Sequence, residues 1–380
     1  MVYLDHNASS PLRAEARAAA MHAPPGNASS VHGAGRAARA AIERAREKVA
    51  ALAGAKATSV VFTSGGTEAN ALALWGAVHG AADAGARITR LFVSAVEHES
   101  VLANAAALVE RTAGLRLDAI PVTRDGVADA DALRVMLREG KGRALIALMA
   151  ANNETGVVLP VAEVMQLAQE ACALLFVDGV QAAGKIDMPV ADYVSLSAHK
   201  IGGPQGAGAL ILRDGAPFTA QILGGGQERH RRAGTENVSA IVGFGTAAEI
   251  AVRELPNANR IAALRDRFEE GLKRLAPDVE IFGVKAARLG NTTNFALLLV
   301  PAETFLMALD LDGVMMSSGA ACSSGKMAPS HVLRAMGIGD ELSRCAVRAS
   351  FGWNSIDADV DRALESISKL LVRVRTRVAA

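Results

Sequence analysis

Residues 174–200 read LLFVDGVQAAGKIDMPVADYVSLSAHK. Two short apolar runs, LLFVD and YVSLS, each end on polar groups. The first stops at Asp178, with Gln181 three positions on; the second runs into Ser197, His199 and Lys200. Runs this short and this apolar are read as strands buried on both faces. The same pattern extends outward. SVVFTS (59–64), RLFVSAVEH (90–98), RALIALMAA (143–151) and GAGALILRD (206–214) are further strands. Helical stretches lie between them: RAARAAIERAREKVAALAG (36–54) with a glycine stop at Gly54, GGTEANALALWGAVHGAA (65–82), ESVLANAAALVERTAG (99–114), DALRVMLREG (131–140) and VAEVMQLAQEACA (161–173). Alternating strands and helices define the α/β class, with a mostly parallel sheet covered by helices on both faces.

After Gly224 the alternation loosens. A Gly- and Arg-rich loop, GGGQERHRRAGTEN (224–237), leads into a helix ending before Pro256. The remainder mixes short strands (291–300, 344–352) with helices (261–276, 357–377). The expected organisation is a large domain, 16–255, and a smaller α+β domain built from 1–15 and 256–380.

The composition of the 380 residues narrows the function. A hydrophobic content of 51% supports a large core, while 4% aromatics gives no stacking platform for bases. A net charge of +1 excludes a bulk field for nucleic acid or an anionic membrane. The basic run Arg229, Arg231, Arg232 has no interleaved aromatics and reads as an interface or phosphate-side loop. No apolar leader follows Met1 and no apolar run approaches a membrane span, so a cytoplasmic setting is expected. Three cysteines, Cys172, Cys322 and Cys345, fit a reducing compartment. Cys172 and Cys345 are expected to be buried filler. Neither C-x-x-C nor H-E-x-x-H occurs, so no metal site is expected.

In open α/β sheets ligands lie beyond the carboxyl ends of the strands. Five strand ends here carry polar clusters: Gly65-Gly66-Thr67-Glu68, His98, Asn152-Asn153-Glu154, Asp178 with Gln181, and Ser197 with His199 and Lys200. Glycines at a strand-to-helix turn can bring a phosphate onto helix N–H groups, although the same residues also make an ordinary turn. A partly desolvated lysine is a good amine nucleophile, though a single lysine is more often a surface group. Paired with a carboxylate that keeps a pyridinium nitrogen protonated, it meets the needs of pyridoxal phosphate. His98 reads either as a ring lying over a flat cofactor or as a satisfied loop histidine. Arg348 reads either as a carboxylate clamp or as a surface ion pair.

The blocks SGGTEAN, EHES, NNETG, VDGVQAAGK, SLSAHKIGGPQGAG, GGGQERHRRAGTEN, SSGAACSSG and PSHVLRAMG occur in this order, after an opening YLDHNASSP. Together they resemble the cysteine desulfurases of the class V aminotransferase group, along nearly the whole chain from residue 3 to about 352. The resemblance implies a fold-type I, pyridoxal-phosphate-dependent transferase with a seven-stranded, mostly parallel sheet. It implies Lys200 as the cofactor-linking amine, Asp178 at the pyridine nitrogen, Gln181 at the ring hydroxyl and His98 over the ring. Gly66, Thr67, Ser197 and His199 would hold the phosphate, joined by Thr235 from the neighbouring subunit of a homodimer. Asn153 would contact both the cofactor and the substrate L-cysteine, and Arg348 would bind the substrate through its carboxylate. Cys322 would take the sulfur as a persulfide and pass it to an acceptor or iron–sulfur scaffold protein. Ala198 and Gly179-Val180 depart from common family residues but remove no functional group.

An unperturbed thiol has a pKa of about 8.5, so Cys322 needs a nearby positive charge or a base, for which His98 is the candidate. The stretch 317–325, SSGAACSSG, has small residues on both sides of Cys322 and reads as a swinging arm, with poor order expected around 320–327. A related aminotransferase or selenocysteine lyase would share Lys200, Asp178 and His98 but would not need that cysteine. A non-catalytic sulfur-assembly scaffold would lack the absorbance of a lysine-bound cofactor.

Overall fold

The computed structural model describes residues 1–298, 300–318 and 329–379. The sequence-derived expectation for residues 320–327 and the position of Cys322 lie outside the described residues.

The strands, in chain order, are β1 (Val2–Tyr3), β2 (Val60–Thr63), β3 (Ile88–Ser94), β4 (Arg116–Ile120), β5 (Arg143–Ala147), β6 (Leu174–Asp178), β7 (Tyr193–Ser197), β8 (Gly208–Leu212), β9 (Glu280–Ile281), β10 (Thr292–Ala296), β11 (Val314–Met315), β12 (Ser317–Ser318) and β13 (Ala346–Ser350). β2 to β8 form a seven-stranded sheet in the order β2-β8-β7-β6-β5-β3-β4. Neighbours pair parallel except around β8, which runs antiparallel to both β2 and β7. This is the mostly parallel sheet that the apolar runs predict.

The residues do not announce β4. Its Arg116, Leu117 and Ala119 are exposed, because β4 is an edge strand with one neighbour. Polar residues on a short edge strand discourage pairing with other chains, and they also erase the apolar signature of a strand.

Side chains alternate across the sheet. Val61, Leu91, Val93, Leu145, Phe176, Tyr193 and Leu210 pack under α3 (Gly66–Asp83) and α4 (Glu99–Arg111). Phe62, Phe92, Ile146, Leu175, Val177, Leu196 and Ala209 face the other way. They share a core with α2 (Gly33–Leu52), α5 (Ala130–Glu139), α6 (Val161–Glu170) and α7 (Val238–Glu254). The predicted stop of α2 is present: Gly54 takes φ 62°, Gly54 N–H bonds Ala51 C=O, and Ala55 N–H bonds Ala50 C=O. That is a Schellman arrangement, which needs a residue free to adopt positive φ. At the start of α7, Asn237 Oδ1 accepts the Ala240 N–H.

A four-stranded antiparallel sheet, β12-β13-β10-β9, carries a separate core with α8 (Ala258–Leu275), α9 (Ala302–Leu311) and α12 (Asp357–Ala379). Phe268 meets Phe295 and Phe351 edge-on, and Phe295 meets Phe305, each pair with ring centroids 5.8 Å apart. The chain's start joins this part: β1 pairs with β11, and Ser350 N–H bonds Leu4 C=O.

One cysteine departs from expectation. Cys172 is exposed, in the turn after α6, with φ 50°. The helix ends at Glu170, three residues before the apolar pattern does, because the chain must turn there to enter β6. Cys345 is buried immediately before β13, as expected of filler.

Candidate active site

The carboxyl ends of β2, β6 and β7 meet at the start of α3. Gly66 opens that helix so close to its neighbours that a Cβ would stand 2.9 Å from Val180 Cγ2 and 3.4 Å from Ser197 Cβ. No side chain caps this helix start, so its first-turn N–H groups are left to another acceptor. Asp178, at the end of β6, is 5% exposed. Its Oδ1 accepts the Val180 N–H at 3.0 Å and its Oδ2 accepts Asn70 Nδ2 at 2.8 Å.

Lys200 ends the short turn after β7. Its Nζ donates to the carbonyls of Asn7 at 2.6 Å and Ala8 at 2.8 Å, and it has no carboxylate partner among the described residues. Burial pushes its pKa down to about 8; Arg348 pushes the same way, while Asp178 and Asp5 pull it up. A second lysine, Lys185, sits nearby and bonds Gln181 through the backbone carbonyl and Oε1. It is lowered to about 7, first by burial and then by Lys200 and Arg348. His199 lies beside Ser9 Oγ at 3.2 Å and is lowered to about 4 by burial and by Lys200. Ser197 is buried.

Asn7 ties the two halves of the site together. Its carbonyl accepts from Lys200 and from Gln181 Nε2. Its side chain donates to the Asn153 carbonyl and Thr292 Oγ1 and accepts from Asn291, while its N–H reaches Ser350 Oγ. Arg348, on β13, donates to the Asn153 carbonyl at 2.9 Å and to Asp5 at 2.7 Å. Arg348 is thus not a surface ion pair: it is 5% exposed and its guanidinium is paired with Asp5.

His98 is the N-cap of α4, its ring exposed, with Nδ1 accepting the Ser100 N–H. Two further carboxyls are buried. Glu97 is fully buried; burial, then Asp178, raises its pKa well above the carboxylate range. Its Oε1 takes the Met149 N–H. Glu154 accepts the Ser330 hydroxyl at 2.5 Å, and burial raises it to about 7 against the pull of Ser330 and Arg348.

Gly66, Thr67, Asp178, Gln181, Ser197, His199 and Lys200 therefore share one end of the sheet, as the strand-end reading expects. Asn153 lies beyond β5 of the same sheet, and Arg348 reaches its carbonyl from β13 of the second sheet. Thr235 is exposed on the 224–237 loop, which Arg232 fastens to the first turn of α3 through Glu68. The residues missed from sequence are Asn7, Asn70, Ser100, Glu97 and Lys185. Asn70 was within reach of sequence reasoning: it follows Gly66 by four positions, one helical turn, and shares its face. Asn7 acts largely through its backbone carbonyl, which no side-chain pattern encodes.

A model of the aminotransferase class-V family matches residues 2–363. A cysteine desulfurase of Cereibacter sphaeroides is 44% identical over 382 residues, covering 98% of this chain and 96% of that protein. The cysteine desulfurase IscS of Dictyoglomus turgidum is 39% identical over 383 residues, with 99% and 95% covered. Among solved structures, a NifS-like protein superposes with a TM-score of 0.89 at 32% identity, covering 98% of this chain and 99% of that one. The chain belongs to the class V aminotransferase family, and its full-length relatives place it with the cysteine desulfurases of that family.

Enzymes of this family depend on pyridoxal 5'-phosphate. The residues present suit that group. The uncapped helix start with no room for a Cβ suits a phosphate, buried Asp178 suits a pyridinium, and a lysine lowered to about 8 suits a carbonyl carbon.

Proposed function

We propose that the protein converts L-cysteine to L-alanine and passes the sulfur, as a persulfide on Cys322, to an acceptor protein for iron–sulfur cluster assembly or other sulfur-containing products. In this reading residues 16–255 form the cofactor-binding domain and residues 1–15 with 256–380 the smaller one. The protein acts in the cytoplasm as a homodimer. Lys200 holds pyridoxal 5'-phosphate covalently, Asp178 and Gln181 hold its ring, and His98 covers it. Gly66, Thr67, Ser197 and His199 hold the phosphate together with Thr235 of the partner subunit.

When bound, the cofactor supplies an electron sink for charge developing at the substrate α-carbon. Arg348, its plane fixed by Asp5 and the Asn153 carbonyl, takes the substrate carboxylate, and Asn153 lies beside it. Lys200 Nζ removes the α-proton; burial keeps its pKa near 8, so the free amine is accessible close to neutral pH. The Cys322 thiolate attacks the substrate sulfur. The new S–S bond forms as the substrate C–S bond breaks; the β-carbon then takes one proton and the α-carbon regains the one held on Lys200, so that alanine leaves.

The observation that carries this reading is the desolvated Lys200 amine, with no carboxylate partner among the described residues, within the electrostatic reach of buried Asp178. Full-length relatives named cysteine desulfurase support it. The test is incubation of the purified protein with L-cysteine and a reductant. Equal amounts of alanine and sulfide are expected, and Cys322→Ser is expected to release no sulfur. Sulfur release by Cys322→Ser at the wild-type rate overturns the scheme, and a keto acid in place of alanine overturns it in favour of an aminotransferase.

A further inference from the structure

The hydrogen bonds around His98 have only one consistent direction. His98 Nδ1 lies 3.1 Å from the Ser100 backbone N–H, a group that only donates, so Nδ1 must present a lone pair. Ser100 Oγ lies 2.8 Å from the same nitrogen, so the hydroxyl is a donor too. The oxygen's own lone pair receives one Asn70 Nδ2 proton at 2.9 Å. The second Nδ2 proton goes to Asp178 Oδ2 at 2.8 Å. Turning the Asn70 amide over would set its oxygen against a carboxylate, so the amide orientation is fixed as well. Asn70 thus donates in two directions, to Asp178 and to Ser100, and Ser100 donates onward to His98.

We propose that Asn70 and Ser100 are positioning residues that lock His98 in the tautomer with its proton on Nε2 and, through the same amide, aim the Asp178 carboxylate. Neutral His98 then offers a proton at Nε2, and its one lone pair is already engaged at Nδ1. In that state it cannot take the Cys322 proton; its Nε2–H can only donate one. An imidazolium would need a hydrogen on Nδ1 and would break the N-cap bond of α4. The groups facing the ring divide. The protein packed around it, Lys200 and His331 oppose a positive charge, whereas Asp178 and Glu99 favour one, and the balance lowers its pKa. The part His98 plays in catalysis rests on the proposed function; its tautomer does not.

The test is nitrogen-15 NMR of the full-length, histidine-labelled protein, with pyridoxal 5'-phosphate bound and without it, with His98 assigned through His98→Gln. Wild-type protein is expected to show a bare Nδ1 and a protonated Nε2 at neutral pH. Ser100→Ala removes one of two donors to Nδ1. It should raise the His98 midpoint by about half to one pH unit, the size of one hydrogen bond, and admit the other tautomer. Asn70→Ala should mix the tautomers although it touches neither ring nitrogen, and Ser100→Thr should restore the wild-type spectrum. A protonated Nδ1 in the wild type, or an unchanged midpoint and tautomer in Ser100→Ala, overturns the proposal. A protein with the Nε2–H tautomer that releases no sulfur from L-cysteine upholds the relay and overturns the desulfurase reading instead.

Discussion

Lys200 and Glu154 are shifted by the same force, desolvation, with opposite consequences. For Lys200 burial favours the neutral amine; Lys200→Ala is expected to abolish both cofactor absorbance near the visible edge and alanine formation, checked by spectrum and product assay. For Glu154 burial favours the protonated acid. Its folded pKa of about 7 stands above the usual carboxylate value, so its contribution to stability is present below about pH 4.5 and is lost as pH rises through about 7. His6 and His199, both lowered to about 4, act in the reverse sense: they cost stability at low pH and cease to do so as pH rises through their unfolded value near 6.5. Wild-type melting alone mixes the three. The difference between Glu154→Gln and wild type isolates Glu154, since glutamine keeps the acceptor for Ser330. That difference in melting temperature should move in the variant's favour between pH 4.5 and 7.5; a constant difference would refute the assignment. Reactive side chains at strand ends were legible in the sequence because a polar group that stops an apolar strand needs a reason. Glu97 was not, since an acid beside His98 in EHES looks solvated until the fold buries it.

Two elements flank the carboxyl ends of the strands where the proposed cofactor would sit, and each is tight for a different reason. At the start of α3 the constraint is space. Gly66→Ala would push a methyl into Val180 and Ser197; the expected result is a stability cost of about 1–3 kcal/mol and weaker cofactor retention, read from the absorbance of purified protein. In the 224–237 loop the constraint is conformation. Glu228, Arg229 and His230 all take positive φ, with values of 47°, 57° and 63°, a cost that L-residues accept only under external restraint. The restraint is the Glu228 carboxylate, buried in a two-point bond to Arg46 at 2.6 and 2.8 Å and accepting the Phe62 N–H. Glu228→Ala leaves buried Arg46 with only the half-exposed Glu43 as carboxylate partner, and chemical denaturation should show a loss of about 3 kcal/mol, the low end for a broken buried pair. In the sequence this loop reads only as glycine and arginine, because neither positive φ nor a partner 182 positions away leaves a local mark. β2, β3 and β5 to β8 were legible because burial on both faces demands continuous apolar runs. β4 was not, because its edge position frees it from that demand.

At the scale of the molecule, the site is assembled from distant parts of one chain, and in the proposed reading from two chains. A shared site predicts a particle of twice the 39.3 kDa chain mass by light scattering. It also predicts that Thr235→Val leaves that mass unchanged while weakening cofactor retention, since Thr235 is exposed on its own chain. Among the described residues no helix is long and apolar enough to cross a membrane. Asn7 has a further consequence for synthesis. Its carbonyl receives the Lys200 and Gln181 side chains, yet Asn7 itself is held by Thr292, Asn291 and Ser350, and the strand before it pairs with β11. On the ribosome, residues 60–212 can close their sheet while those partners are still untranslated. A nascent chain would therefore display Lys200 and Asp178 with one wall missing, and in the proposed reading cofactor capture becomes a late event, timed by the emergence of Ser350 rather than of Lys200.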